Sequence, residues 1–497
     1  MERIIRTIAA VLGARRFAFG VLGFFGFEAL WVACSAVYPM AFDEDFHFGL
    51  IKVYSHYWSP FLSSQPSDTV QFGAITRDPS YLYHYLMSFP YRFIELFTHN
   101  HTAQITILRL LNICLFTVGL VLFYKVLRRA GSSRMLTNVT LLLFVLIPIV
   151  PLLAGQINYD NLLFPLVAWL CLLVQRITSQ LEIRKLDLKA LAMLVIVCLF
   201  ASIVKYAFLP IAFVAMLFLA IQSWRSFHGH DIRLRHAFRH SYKALSNRTK
   251  LILLGMFIVS AGLFAQRYVL NVVDYHTPLP KCNAVLSTDK CMSYGPWARN
   301  YLDAQTKRDV DSRTLPYVWT WLQGMHYRLF FMVNGPTDNF MNYPPEPLPS
   351  AAGIVVAIMG ILALLCYWRR VFAGHSFLVF LLLAAALYAA VLWADNYSEF
   401  LTTGQPVAIN GRYLLVIIFP LAAVFGRALG LALHHWRTLR ISIAALIIIL
   451  FLQGGGVLSF ILRSDAGWDW PVPGVVQVNN AARDMFSLFI IEGNKYY

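Results

Sequence analysis

Ser376–Ala394 reads SFLVFLLLAAALYAAVLWA, nineteen consecutive residues without a charge. At about 1.5 Å rise per residue, a helix of that length covers the roughly 30 Å hydrocarbon core of a bilayer. The run is continuously apolar rather than alternating. That excludes the ~10-residue strands of a membrane barrel and leaves a helix, whose backbone hydrogen bonds close within the segment. Comparable runs at 17–38, 105–125, 135–153, 161–176, 190–204, 206–223, 251–269, 350–368, 411–430 and 441–462 bring the predicted spans to eleven. Composition agrees: the 497 residues are 58% hydrophobic and 13% charged, with a mean hydropathy of +0.60, where soluble domains run near a quarter charged. The predicted fold is an all-α integral membrane protein over 1–462, followed by a short extracytoplasmic tail, 463–497.

Positive charge is retained in short cytoplasmic loops, so the positions of Lys and Arg predict orientation. With the N-terminus inside, the cytoplasmic segments hold 24 of the 41 basic residues against four acids, and the outer side holds 17 basic residues against 20 acids. The net charge of +16 is therefore a topology signal rather than a nucleic-acid footprint. Arg15-Arg16 ahead of a span-length run reads as an uncleaved first helix, not a signal peptide.

Two predicted outer segments, 39–104 and 270–349, exceed what a connection needs, and long loops of this kind are usually functional. The first carries Asp43-Glu44-Asp45-Phe46-His47-Phe48 and then Tyr81-Leu82-Tyr83-His84-Tyr85-Leu86-Met87; the second carries Tyr317 to Val333 with Trp319, Trp321 and His326. These stretches read as helices lying along the interface. Their aromatic density suits a membrane surface or a sugar ring equally. Cys282 and Cys291, nine residues apart in the second loop, are expected to form a disulfide if that face is oxidising. The other five cysteines sit in or at spans as small hydrophobes. The inner stretch Arg225 to Lys250 includes His228, His230, His236 and His240, which invite a metal reading but read first as a basic anchor on anionic lipid. No phosphate-binding glycine loop or dinucleotide fingerprint is present.

The chemistry-bearing residues converge on the predicted outer face. Three consecutive acids, Asp43, Glu44 and Asp45, raise one another's pKa unless a metal ion, a cation or a substrate proton offsets them; a solvated helix start is the competing reading. Asp160 is the lone acid in the turn before the fourth span, where helix capping would also explain it. Lys205-Tyr206 falls at a tight outer turn, as a snorkelling anchor or as a cation meeting phosphate. Arg412 opens the tenth span with a guanidinium shaped to clamp phosphate oxygens. Glu28, in the middle of the first span, is an intramembrane acid and a functional candidate by default.

At these residues the sequence resembles the GT-C superfamily of polyprenyl-phosphate-sugar-dependent glycosyltransferases, which includes protein O-mannosyltransferase-like and aminoarabinose-transferase-like enzymes. The matching pieces are Asp43-Glu44 with His47; Pro79-Ser80-Tyr81-Leu82-Tyr83; Asp160; Val204-Lys205-Tyr206; and Gly411-Arg412-Tyr413-Leu414-Leu415. They run from residue 40 to 415 in the family's order and on one predicted face. The resemblance implies Asp43 as the base, with Glu44 and Asp160 supporting it, and Lys205 and Arg412 on the donor phosphate. His47, Tyr81, His84, Tyr206 and Tyr413 are the accompanying substrate-binding candidates. If a divalent cation (Mg or Mn) takes part, Glu44, Asp45 or Asp160 are its expected ligands. Asp45 and Glu28 lie outside the family pattern, and the tail 463–497 does not read as a separate soluble sugar-binding domain.

The implied partners are a polyprenyl-phosphate-linked sugar, membrane lipid, and a glycan, lipid or protein acceptor, with no nucleic acid. The expected location is the plasma (inner) membrane, or the endoplasmic reticulum in a eukaryote, with the active site extracytoplasmic. The rival readings are a lipid-sugar flippase or transporter, a glycan polymerase or ligase of another fold, and a noncatalytic scaffold. Transporters place ionisable groups near the midplane, whereas here only Glu28 is central.

Overall fold

The computed structural model describes residues 2–40, 43–228, 234–306, 314–330, 348–464 and 466–490, and every regular element among them is helical apart from one isolated bridge between Ala36 and Asp469. In chain order the α-helices are α1 (Glu2–Gly13), α2 (Arg15–Ser35), α3 (Glu44–Ser55), α4 (Leu82–Glu95), α5 (His101–Arg129), α6 (Arg134–Val145), α7 (Ile149–Ala154), α8 (Asp160–Glu182), α9 (Leu188–Val204), α10 (Leu209–Phe227) and α11 (Leu234–Ala244). There follow α12 (Asn247–Tyr275), α13 (Cys282–Val285), α14 (Thr288–Cys291), α15 (Gly295–Gln305), α16 (Thr314–Phe330), α17 (Leu348–Phe372), α18 (Ser376–Thr403), α19 (Leu415–Ala432), α20 (Arg437–Phe451), α21 (Val457–Arg463) and α22 (Pro473–Ser487).

Eight helices among the described residues are long and apolar enough to cross a membrane: α2, α5, α8, α10, α12, α17, α18 and α19, with α10 and α19 each extended by a preceding 3-10 turn. Much of their apolar surface faces outward. In α12 only 11% of the best span window is buried, and Leu251, Ile258 and Val259 are all more than half exposed. An apolar face of that extent is stable only against lipid. The chain is a multi-pass membrane protein.

Three predicted spans are shorter or broken. The apolar α9 has 17 residues. The stretch 135–153 divides between α6 and α7, where Pro148 and Pro151 each remove a backbone donor. The stretch 441–462 divides between α20 and α21 at Gly454-Gly455-Gly456. Gly456 has φ +60°, and a Cβ there would meet Glu28 Oε1 at 1.9 Å. That oxygen instead accepts the Val457 N–H at 2.9 Å, so the intramembrane acid caps the broken helix.

The core is aromatic. Phe116 of α5 stacks on Phe164 of α8 at 4.3 Å, and Phe419 of α19 lies 4.4 Å from Phe144 of α6 and 4.9 Å from Phe123 of α5. Gly119 lets α8 come this close, since a Cβ there would sit 2.3 Å from the Phe164 ring. This packing fixes the ends of α5, α8 and α19 relative to one another. The C-terminal segment returns to the end of α2: Val37 N–H donates to Trp468 O at 2.8 Å, Trp470 N–H to Ser35 O at 2.9 Å, and Trp31 Nε1 to Asn479 Oδ1 at 2.8 Å. The stretches read as interfacial helices are helical, as α3, α4 and α16; residues 331–333 of the third, His230 of the inner loop, and the last seven residues lie outside the described residues.

Candidate active site at one end of the bundle

Glu44, the first residue of α3, is fully buried and anchors the site. Arg109 Nε donates to its Oε1 at 2.8 Å and Arg109 Nη2 to its Oε2 at 2.7 Å. The Met40 N–H donates to Oε2 at 2.9 Å and the Ile157 N–H to Oε1 at 3.0 Å, so each oxygen accepts two bonds. Arg109 also donates to the carbonyls of Ala33, Ala36 and Val37. A buried ion pair is tolerable only when its remaining hydrogen-bonding capacity is filled, and here it is. Glu44, expected as a catalytic or metal carboxylate, has both oxygens occupied here and joins α2, α3, α5 and the turn before α8. Arg109 was not among the predicted site residues, although a guanidinium inside the apolar run 105–125 is itself a signal.

Holding Glu44 inward turns its neighbour outward. Asp43 precedes α3 with left-handed backbone angles, φ 63° and ψ 33°, and no capping bond from its side chain; Asp tolerates this conformation better than most residues. Its side chain is 61% exposed and accepts from Arg412 Nη2 at 3.0 Å. Asp160 opens α8 without capping it; its Oδ1 accepts from Lys205 Nζ at 2.6 Å, and its Oδ2 lies 3.9 Å from Arg412 Nε. The helix-cap explanation of Asp160 thus gives way to a buried ion pair. The turn ahead of it is held by Asn161 Nδ2, which donates to the carbonyls of Leu153 and Gln156 and to Asn112 Oδ1 at 3.0 to 3.1 Å.

Lys205 stands where α9 ends in extended backbone. Its ammonium lies 4.5 Å from the centre of the Tyr159 ring and 4.4 Å from that of Tyr413, a cation–π sandwich that compensates its burial. Arg412 follows Gly411 in the short turn before α19. A Cβ at Gly411 would meet the Met325 carbonyl oxygen of α16 at 2.4 Å, so only glycine lets the backbone lie this close and bring Arg412 to the acids. The structure thus brings together Asp43, Asp160, Lys205, Arg412 and Tyr413.

His47, one turn into α3, stacks on His84 of α4, with Nδ1 to Nε2 at 2.9 Å, and meets Tyr159 edge-on at 4.6 Å. Burial pushes His84 down to about 3. Burial, with the nearby His84, Arg412 and Lys205, holds His47 well below the ordinary histidine range. Both rings are neutral at pH 7 and form the wall behind Asp43. Tyr206 is partly exposed, and its N–H donates to Ser80 Oγ at 3.1 Å. Tyr81 is buried under Arg267 of α12, 4.7 Å from the guanidinium, and its hydroxyl donates to the Leu263 carbonyl at 3.4 Å.

Among the described residues, no group of three or more His, Cys, Asp or Glu is arranged to hold a metal ion. Of the expected ligands, Glu44 has both oxygens filled and Asp160 is bonded to Lys205, while Asp45 is exposed on α3. Cys282 and Cys291 form a disulfide in the second long loop. No protein-family model matches the chain, and no curated protein matches it by sequence.

Proposed function

We propose that the chain is a membrane glycosyltransferase that moves a sugar from a polyprenyl-phosphate donor to an acceptor hydroxyl on the extracytoplasmic face. The supporting observation is an exposed carboxylate, Asp43, held 3.0 Å from a buried guanidinium, Arg412, at the ends of apolar helices where a lipid phosphate would lie. Asp43 takes the proton as the acceptor oxygen attacks the anomeric carbon, a role typically worth about 10²–10⁴-fold in rate. The bond from that carbon to the phosphate oxygen breaks, and Arg412 stabilises the charge that develops on the departing phosphate. Lys205, sealed between two tyrosine rings, holds Asp160 and adds positive potential behind Arg412. Direct attack from the face opposite the phosphate inverts the anomeric centre.

The reading carries its topology with it: eleven crossings including the short and broken helices, the N-terminus cytoplasmic, and α3, α4 and the site outside. The test uses purified chain in lipid with a panel of radiolabelled polyprenyl-phosphate sugars. Asp43→Asn is expected to lose transfer while keeping donor binding. A flippase keeps its activity when Asp43 is neutralised, and that result would overturn the proposal.

A further inference from the structure

The second long loop returns to the site through a strap of short helices. The Cys282–Cys291 disulfide closes α13 and α14 into a knot, and three residues on, Tyr294 precedes α15. Its ring centre is 6.2 Å from that of Phe46. Gly73, at φ +73°, lies beneath the ring, where a Cβ would approach Tyr294 Cδ1 to 3.0 Å. Phe46 lies in the first turn of α3, three residues beyond Asp43, and the Asp43 carboxylate is among the charges that act on Tyr294. Tyr294 therefore covers the first turn of α3 beside the exposed carboxylate. Its hydroxyl is held above its ordinary value by burial, then by Asp78 and Asp43, which keeps it a neutral donor. Asp78 accepts the Ser80 N–H at 2.8 Å, and Ser80 Oγ in turn receives the Tyr206 N–H, tying that acid to the Lys205–Tyr206 turn. At its far end the strap is fastened to α18, where Asn300 Nδ2 donates to Glu399 Oε2 at 2.8 Å.

We infer that Tyr294 forms the acceptor side of the site, and that the strap from Cys282 to Gln305, closed by its disulfide and moored to α18, holds this residue beside Asp43 for a hydroxyl-bearing saccharide acceptor. The inference rests on the glycosyl-transfer reading. A phenol suits such a ligand: the ring face packs on sugar C–H groups, and the hydroxyl both donates to and accepts from sugar hydroxyls. Tyr413, whose hydroxyl accepts from Arg412 Nη2 at 3.3 Å, belongs to the Arg412 side of the site, and Tyr294 supplies an aromatic wall over Phe46.

The test has two arms. In the first, transfer from radiolabelled polyprenyl-phosphate sugars to octyl glucoside, galactoside and mannoside is compared for the parent, Tyr294→Phe and Tyr294→Ala. Loss of one hydrogen bond should raise the acceptor KM about tenfold in Tyr294→Phe, with the donor KM and kcat within about twofold of the parent. An unchanged acceptor KM, or equal rises for donor and acceptor, would overturn the assignment. In the second, hydrogen exchange at 43–48 and 70–75 is followed in the full chain carrying Cys282→Ser and Cys291→Ser. Faster exchange in both segments is expected, and exchange equal to the parent would show that the disulfide does not hold Tyr294 in place. Absence of transfer by the parent with every donor sinks the glycosyl-transfer reading and the acceptor role with it, whereas the exchange arm decides the strap independently.

Discussion

Arg412 and Asp43 are 369 positions apart, yet Arg412 Nη2 donates to Asp43 Oδ2 at 3.0 Å. One partner is 4% exposed and the other 61%. A cation fixed in the protein therefore faces a carboxylate that solvent, lipid headgroup or substrate can reach. The same guanidinium lies 3.9 Å from Asp160, so its planar fork spans both acids.

Arg412→Lys tests that geometry. A lysine keeps the charge but loses the fork, so a single ammonium cannot serve Asp43 and Asp160 together. Donor KM is expected to rise about tenfold or more, measured by radiolabelled transfer, with the melting temperature close to the parent's. An unchanged donor KM would remove Arg412 from the phosphate site.

Glu44 and Arg109 make a different prediction. Removing one member leaves an uncompensated charge in a site with no exposure, which costs about 3–5 kcal/mol. Glu44→Gln and Arg109→Met should each lower the thermal midpoint sharply in detergent. The double variant should recover part of the loss, because apolar or neutral replacements of a whole buried pair are often tolerated. Additive losses would mean that the pair is not the anchor.

Gly411→Ala pushes a methyl group against the Met325 carbonyl oxygen. Overpacking of this kind typically costs about 1–3 kcal/mol. The displaced turn carries Arg412, so transfer should fall further than stability does. A variant as active as the parent would show that α16 gives way easily.

The histidine pair predicts an acid limit. His84 lies at about 3 in the folded chain against about 6.5 when unfolded, and His47 is also depressed. Between those values the unfolded chain binds more protons, so stability is complete above pH ~6.5 and falls as the pH drops towards 3. The slope is about 1.4 kcal/mol per pH unit for each histidine. Thermal melts across that window should flatten in His84→Gln, and an equally steep profile would place the acid sensitivity elsewhere.

The order of residues places this chain in a bilayer as helices, because apolar length and the absence of charge are local properties of runs such as Ser376–Ala394. It also brought Asp43, Asp160, Lys205 and Arg412 onto one predicted face, since each follows or precedes a span of countable length. Tertiary structure alone decided what neighbouring acids do. Asp43 and Glu44 are adjacent and alike in chemistry, but Glu44 turns into the protein to meet Arg109, 65 positions away, while Asp43, in a left-handed turn, is left outside. The way the α20–α21 break is held was equally illegible, for a hydropathy window does not register a buried acid, Glu28, that caps a helix from across the bundle. Those are contacts between distant segments, and only packing brings them within hydrogen-bonding range.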